Sequence, residues 1–422
     1  MKILLVAQHY HPVVGGIETE VRLMGQELTS SCQVEIAAVN FSTSKLPRRL
    51  TILHPHLLAK PHLSHKDGQV PIHALSPTQM DRLRLLPIAV QVIPGVRRVA
   101  NDAVREFGYQ RYRQIFVPKL RQIMQNVDVV HSVAIDYLGW AAQEAAHGLG
   151  IPFICTPHVH PKQWGDDGQN VEFYQRCNAV VALTEGDREN LIALGVSAQQ
   201  IQVIGICPIL PPMADPGQFR DQHGLQDFPI VLFVGRMCEY KGTKAILEAT
   251  QQIWQHCPET RFVFIGSHTP ESAKYFDDSD PRILYLGTIS EQEKANAFAA
   301  CTVFCMPSVN ETLGIVYLEA WSYGKPVIGG KAPGLPRFIE GNGGGLTVDQ
   351  FPENVASIII HLLQDPQLRH QLGQSGKLLV EQTYSMQAIV NQRQLLYQSL
   401  IEHSTAVHCD RDREGITESK NR

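Results

Sequence analysis

Thr302-Val303-Phe304-Cys305-Met306-Pro307-Ser308-Val309-Asn310-Glu311-Thr312-Leu313-Gly314-Ile315-Val316-Tyr317-Leu318-Glu319-Ala320 decides the architecture. Thr302–Met306 is apolar without alternation, the pattern of a strand covered on both faces. A polar loop carrying Glu311 follows. An apolar helix then carries Glu319, eight positions on. This strand-then-helix unit recurs in both directions. Further buried runs are Ile3–Ala7, Val34–Val39, Val129–His131, Pro152–Cys155, Ala179–Leu183, Ile230–Val234, Phe262–Ile265, Ile283–Leu286 and Pro326–Ile328. Helical patterns lie between them. Ile17–Leu28 is amphipathic, Asp136–Gly148 is Ala-rich, and Ser290-Glu291-Gln292-Glu293 is a capping box. Alternation of this kind predicts a doubly wound α/β fold.

The 422 residues predict two or three domains. The best boundary is Ile206–Gly224, which holds Pro208, Pro211, Pro212 and Pro216. It separates a half ending at residue 205 from one over 225–385. A C-terminal helix over 386–403 that packs back on the first half, and a disordered polar tail over 404–422, are expected after them. Ligands in such sheets bind at the carboxyl ends of the strands, so a cleft between the halves is the default site.

Composition excludes several classes. The net charge of -4 argues against a nucleic-acid binder. The charge is uneven: residues 1–205 carry 19 Lys+Arg against 17 Asp+Glu (+2), and the remaining 18 against 24 give -6. Nine scattered cysteines without a CxxC pair fit a reducing compartment. The Ile3–Ala7 run is too short for a signal core, and no stretch reads as membrane-spanning. A cytoplasmic protein is expected, with peripheral contact at the inner face of a membrane left open.

Three segments carry chemistry. Pro12-Val13-Val14-Gly15-Gly16-Ile17-Glu18 follows the first strand and opens a helix, where Gly15 and Gly16 let backbone N–H groups approach an anion. In the second half, Gly235-Arg236 and Lys241-Gly242 place two cations beside a helix start, a pair suited to a diphosphate. Glu319 is a carboxylate among apolar residues and needs a partner. Each has a plainer reading: an ordinary turn, two solvated cations, a solvated acid. Asp278-Ser279-Asp280 reads as a turn rather than a metal-binding DxD, and neither a zinc spacing nor a P-loop is present.

The Glu311/Glu319 spacing resembles the E-x7-E motif of retaining GT-B glycosyltransferases. Residues 1–400 resemble the GT4 family, through HPVVGGIETEV, PFICTPHVH, AVVALTEGDRENLIALGV, LFVGRMCEYKG and NETLGIVYLEAWSYGKPVI in family order. The resemblance implies two Rossmann-like domains facing across a cleft, and retaining, metal-independent transfer from a UDP- or GDP-type sugar to a sugar, lipid-linked or other hydroxyl acceptor. Glu319 is then the ligand of the ribose hydroxyls, Glu311 contacts the donor sugar, and Gly314, Ile315 and Val316 offer backbone N–H groups. Arg236 and Lys241 neutralise the diphosphate, Gly15 and Gly16 close over it, and His158 lies near the transferred sugar, where His160 competes for its role. The resemblance implies neither metal nor cofactor.

Front-face transfer ranks ahead of a nucleophilic Glu311. Two departures stand out: Gly334-Leu335-Pro336-Arg337 replaces an acid after a Gly-rich turn, and Ile204-Gly205-Ile206-Cys207-Pro208 replaces a PNG turn. The alternatives are a GT-B sugar-nucleotide epimerase and a non-catalytic nucleotide-sugar binder. Arg82–Arg121 holds nine cations against Asp102 and Glu106, an acceptor-side face that also suits anionic lipid.

Overall fold

A computed structural model describes residues 1–13, 16–41, 63–85, 101–159, 164–211, 213–276 and 280–419, with backbone alone at 40, 101–105 and 405–419. The chain forms two compact units. The first comprises Met1–Ala182, Leu191–Ile204 and Val390–Arg422; the second comprises Leu183–Asn190 and Gly205–Ile389.

The first unit is built on β1 (Lys2–His9), β2 (Gln33–Asn40), β3 (His65–Asp67), β4 (Val70–Ala74), β5 (Val129–Ser132), β6 (Phe153–Cys155), β7 (Ala179–Ala182) and β8 (Ile201–Val203). They form one sheet in the order β3-β4-β2-β1-β5-β6-β7-β8, parallel except for β3 against β4. Its helices include α1 (Gly16–Leu28), α2 (Gln79–Leu85), α3 (Asn101–Ile123), α4 (Tyr137–His147) and α5 (Gly168–Gln175). Asp136 caps α4 by accepting from the Leu138 N–H at 3.0 Å, so this helix starts where the sequence pattern puts it. Ile3, Leu4 and Val6 are fully buried on β1, each worth about 1.5–3 kcal/mol of apolar burial. α6 (Glu185–Ala193) begins in the second unit and ends in the first.

The second unit has the all-parallel order β11-β10-β9-β12-β13-β14. These are β9 (Ile230–Val234), β10 (Arg261–Ile265), β11 (Ile283–Gly287), β12 (Val303–Met306), β13 (Val327–Gly330) and β14 (Gly345–Val348). The helices are α7 (Pro216–Gln222), α8 (Thr243–His256), α9 (Pro270–Ala273), α10 (Glu291–Ala300), α11 (Ile315–Ser322), α12 (Leu335–Ile339), α13 (Pro352–Gln364) and α14 (Pro366–Leu379). α15 (Met386–Ser419) leaves this unit and belongs to the first from Val390 onward. Each sheet starts a strand in its middle and adds neighbours outward in both directions. The order reverses beside β1 in one sheet and beside β9 in the other, and the reversal point is where doubly wound sheets open for ligand.

The expected domain bounds differ from the structure in three places. The segment given as a linker, 206–224, contains α7: Asp215 caps it, Pro216 takes the first turn where its missing N–H costs nothing, and Phe219 is fully buried. Leu183–Asn190 sorts with the second unit because Gly186 lies against Gly334. A Cβ on Gly186 would come within 2.6 Å of the Gly334 Cα. The tail expected to be disordered after 403 continues α15 through Ser419. It contains no proline and only Gly415 to interrupt the backbone ladder.

Candidate active site

In the second unit the chemistry gathers at the reversal point between β9 and β12. β9 ends in Gly235, and the chain turns through Arg236 to a short turn over Glu239–Lys241. Gly242 has φ +85, and a Cβ there would meet Pro307 Cγ at 2.5 Å, so glycine is needed for the two loops to touch. Lys241 Nζ forms an ion pair with Glu311, their side chains 16% and 10% exposed. Arg236 donates to the Tyr240 hydroxyl at 2.8 Å, and the Tyr240 ring lies 5.6 Å from Lys241 Nζ. The Gln350 amide donates to the Tyr240 carbonyl at 2.8 Å and to the Pro307 carbonyl at 2.5 Å, tying both loops together.

α11 starts at Gly314, which has φ +72 and no side-chain cap. A Cβ there would meet the Tyr317 ring at 2.6 Å. Ile315 and Val316 take the first two positions, whose N–H groups have no carbonyl ahead of them in the helix and favour an anion, while the Tyr317 N–H donates to the Gly314 carbonyl at 2.9 Å. Glu319 sits on the same helix, 1% exposed. Its Oε1 accepts from Lys294 Nζ at 2.8 Å, while its Oε2 is buried with no hydrogen-bond partner. Burial pushes its carboxyl up to about 7, against the opposing pull of Lys294. Burial lowers the Lys294 ammonium, but Glu319 and Glu291 outweigh it and the net shift is upward. A buried carboxylate with one bare oxygen is an acceptor waiting for hydroxyl donors.

Lys294 and Gln350 join the site without any signal in the linear sequence. Lys294 directly follows the Ser290 capping box, and its partner is on another helix, so spacing gives no sign of the pair. The basic pair is also less independent than the sequence suggests. Lys241 is already shared with Glu311, so an incoming anion must share it too. Arg337 meets Glu189 in an exposed ion pair within the second unit. Asp280 pairs with Arg282 at 2.8 Å; Asp278 and Ser279 lie outside the described residues. Among the described residues no group of three His, Cys, Asp or Glu side chains is placed to hold a metal.

In the first unit Gly16 opens α1 after β1, and a Cβ on it would meet nothing within 4 Å. Gly15 and His160 lie outside the described residues. His158 follows β6 with φ +46, a left-handed backbone seldom taken by side chains other than glycine, and is 9% exposed. Its Nε2 is 3.8 Å from Glu20 Oε2. The basic stretch is partly neutralised: Arg113 pairs with Glu144, and Lys119 with Asp81 at 2.8 Å. Residues 86–100, including Arg97 and Arg98, lie outside the described residues. Among the described residues no helix is long and apolar enough to cross a membrane.

Comparison with known proteins identifies the family and the fold. The family model described as Glycosyltransferase Family 4 matches residues 14–205, and that described as Glycosyl transferases group 1 matches 217–379. The chain is 31% identical over 278 residues to the sulfoquinovosyl transferase of Arabidopsis thaliana, covering 59% of this chain and 52% of that protein. It is 29% identical over 181 residues to the GDP-mannose-dependent monoacylated alpha-(1-6)-phosphatidylinositol monomannoside mannosyltransferase of Corynebacterium glutamicum, covering 40% and 48%. The chain thus spans about half the length of the curated relatives it matches. In fold it is similar to HepE of Anabaena, solved in complex with UDP, with a TM-score of 0.71, 17% identity, and coverage of 94% of this chain and all of that one. With one family model on each half and two parallel α/β units, the chain belongs to the GT4-type glycosyltransferases of GT-B fold.

Proposed function

We propose that the chain transfers a sugar from a UDP- or GDP-type donor to a hydroxyl of a glycan or lipid-linked acceptor, with retention and without a metal. The observation that carries this reading is the set at the β9/β12 reversal point. Lys241 pairs with Glu311, three residues ahead of the uncapped Gly314 start of α11, Arg236 donates to the neighbouring Tyr240, and Glu319 on that helix keeps a bare oxygen. Two cations and a helix start supply the charge stabilisation that a leaving diphosphate needs. Glu319 accepts from the ribose hydroxyls, and Glu311 orients the sugar. His158 contacts the sugar being transferred.

Front-face transfer fits the ion pair. A carboxylate held by Lys241 is a weak nucleophile, so the new bond from the acceptor oxygen to the anomeric carbon forms on the face the diphosphate leaves, and the diphosphate takes the acceptor proton. The curated relatives named for sulfoquinovosyl and mannosyl transfer support the reaction class. Exposed Met80 and Leu83, within four residues of Arg84 on α2, support a lipid-linked acceptor at an anionic surface.

The test is a panel of UDP- and GDP-sugars with chelator present, with the product anomer read by NMR. Turnover with retention under chelator is expected. Inversion, or turnover restored only by added divalent cation, would overturn the reading.

A further inference from the structure

A buried polar cluster in the first unit has no part in the chemistry described so far. The Glu20 side chain on α1 is 5% exposed and that of Arg393 on α15 is 3% exposed; they form an ion pair although far apart in sequence. The other oxygen of Glu20 faces His158 Nε2 at 3.8 Å. His131 on β5 bonds the Tyr397 hydroxyl through Nδ1 at 2.7 Å and Thr156 Oγ1 through Nε2 at 2.7 Å. Burial, then Arg393 and His158, hold the His131 imidazole well below its usual value, so it stays neutral. Glu20 from α1 and neutral His131 from β5 thus act on His158, while Arg393 and Tyr397 from α15 act on Glu20 and on His131.

We propose that Glu20 and Arg393 are positioning residues for His158, with the α15 guanidinium holding one oxygen of the Glu20 carboxylate so that the other is presented to the imidazole. This rests on the reading of His158 as the residue at the transferred sugar.

Arg393 is charged throughout the working range, and a buried guanidinium requires a counter-charge, which Glu20 supplies. The Arg393 ion pair ties down one Glu20 oxygen and leaves the other toward His158. A separation of 3.8 Å is an ion-pair distance, not a hydrogen bond, and closing it takes under 1 Å of ring movement. Closure fixes Nε2 as the protonated nitrogen. The left-handed backbone of His158 points to the same end: such strain persists only where surrounding contacts hold it. Glu20 thus favours the imidazolium, and Arg393 limits that preference by sharing the carboxylate.

The experiment follows the His158 ring by NMR titration of the full chain labelled at histidine, with His158→Asn assigning the resonance. The variants are Glu20→Gln, Arg393→Lys and the double Glu20→Gln/Arg393→Met. The double variant removes both charges together and so stays folded without a stranded cation. The His158 midpoint is expected to fall by roughly one pH unit in the folded variants that lack Glu20 and to stay near wild type in Arg393→Lys. An unmoved midpoint in the folded double variant would overturn the proposal. UDP-glucose and GDP-mannose turnover supplies a second readout: kcat should drop about tenfold without Glu20 while the donor KM stays within threefold. Full turnover by His158→Ala would instead remove the reading of His158 itself, while the titration would still report whether Glu20 acts on the ring.

Discussion

Replacing Glu319 with Gln should make the protein more stable at alkaline pH and less able to hold a nucleotide. The carboxyl is almost wholly buried and its folded-state pKa is about 7, against an unfolded value of 4.5. A raised value means that the folded chain binds the proton more tightly than the unfolded chain. The stability it contributes is therefore complete below pH 4.5 and is lost as pH rises through about 7. At about 1.36 kcal/mol per unit, wild type loses about 2.5 kcal/mol between pH 5 and pH 8 from this group. Glutamine keeps the shape and an acceptor for Lys294 but has no proton to lose. The melting-temperature difference, Gln variant minus wild type, should thus widen by roughly 5–10 °C from pH 5 to pH 8, at about 2–4 °C per kcal/mol for a unit of this size. The assay is a pair of melts across pH at constant ionic strength. A flat difference would refute the reasoning, because it would mean that burial does not outweigh Lys294. The same variant should bind UDP and GDP at least tenfold more weakly, the trade of stability for function common at binding sites.

Glu311→Gln should lower turnover about 100-fold with no covalent glycosyl-enzyme in wild type by intact mass; an adduct on Glu311 would instead establish double displacement. Gly314→Ala brings a Cβ onto the Tyr317 ring at φ +72, and a loss of about 1–3 kcal/mol with collapse of donor turnover should appear in melts and rate assays. Arg337→Ala breaks only an exposed pair with Glu189 and should leave stability within about 0.5 kcal/mol and donor KM unchanged. A tenfold rise in KM would place Arg337 at the donor.

Periodicity carries most of the fold. Each unalternating apolar run is a strand within a residue or two, because a strand buried on both faces has no solvent side to vary. The strands His65–Asp67, Val70–Ala74 and Ile201–Val203 leave no such mark. They are short and sit toward the sheet edges, where packing rather than pattern selects the backbone. Glu311, Gly314 and Glu319 are legible from one contiguous loop and helix. Their partners are not: Lys294 reaches Glu319 from another helix, Gln350 ties two loops from a third, and Arg393 meets Glu20 across almost the whole chain. Pairings of this kind are set by topology, and a linear sequence holds no local trace of them.

The return of α15 to the first unit bears on the order in which the protein can be made. The first 204 residues leave the ribosome without Arg393 and Tyr397, so Glu20 and His131 emerge before their partners exist. The second unit, nearly continuous over 205–389, is complete once the first turn of α15 has been translated. Synthesis thus runs from an unfinished first unit to a finished second one, and only the rest of α15 supplies the partners that Glu20 and His131 lack. A chain truncated before residue 390 would carry every strand of both sheets yet leave the first unit with a buried carboxylate and no cation to meet it.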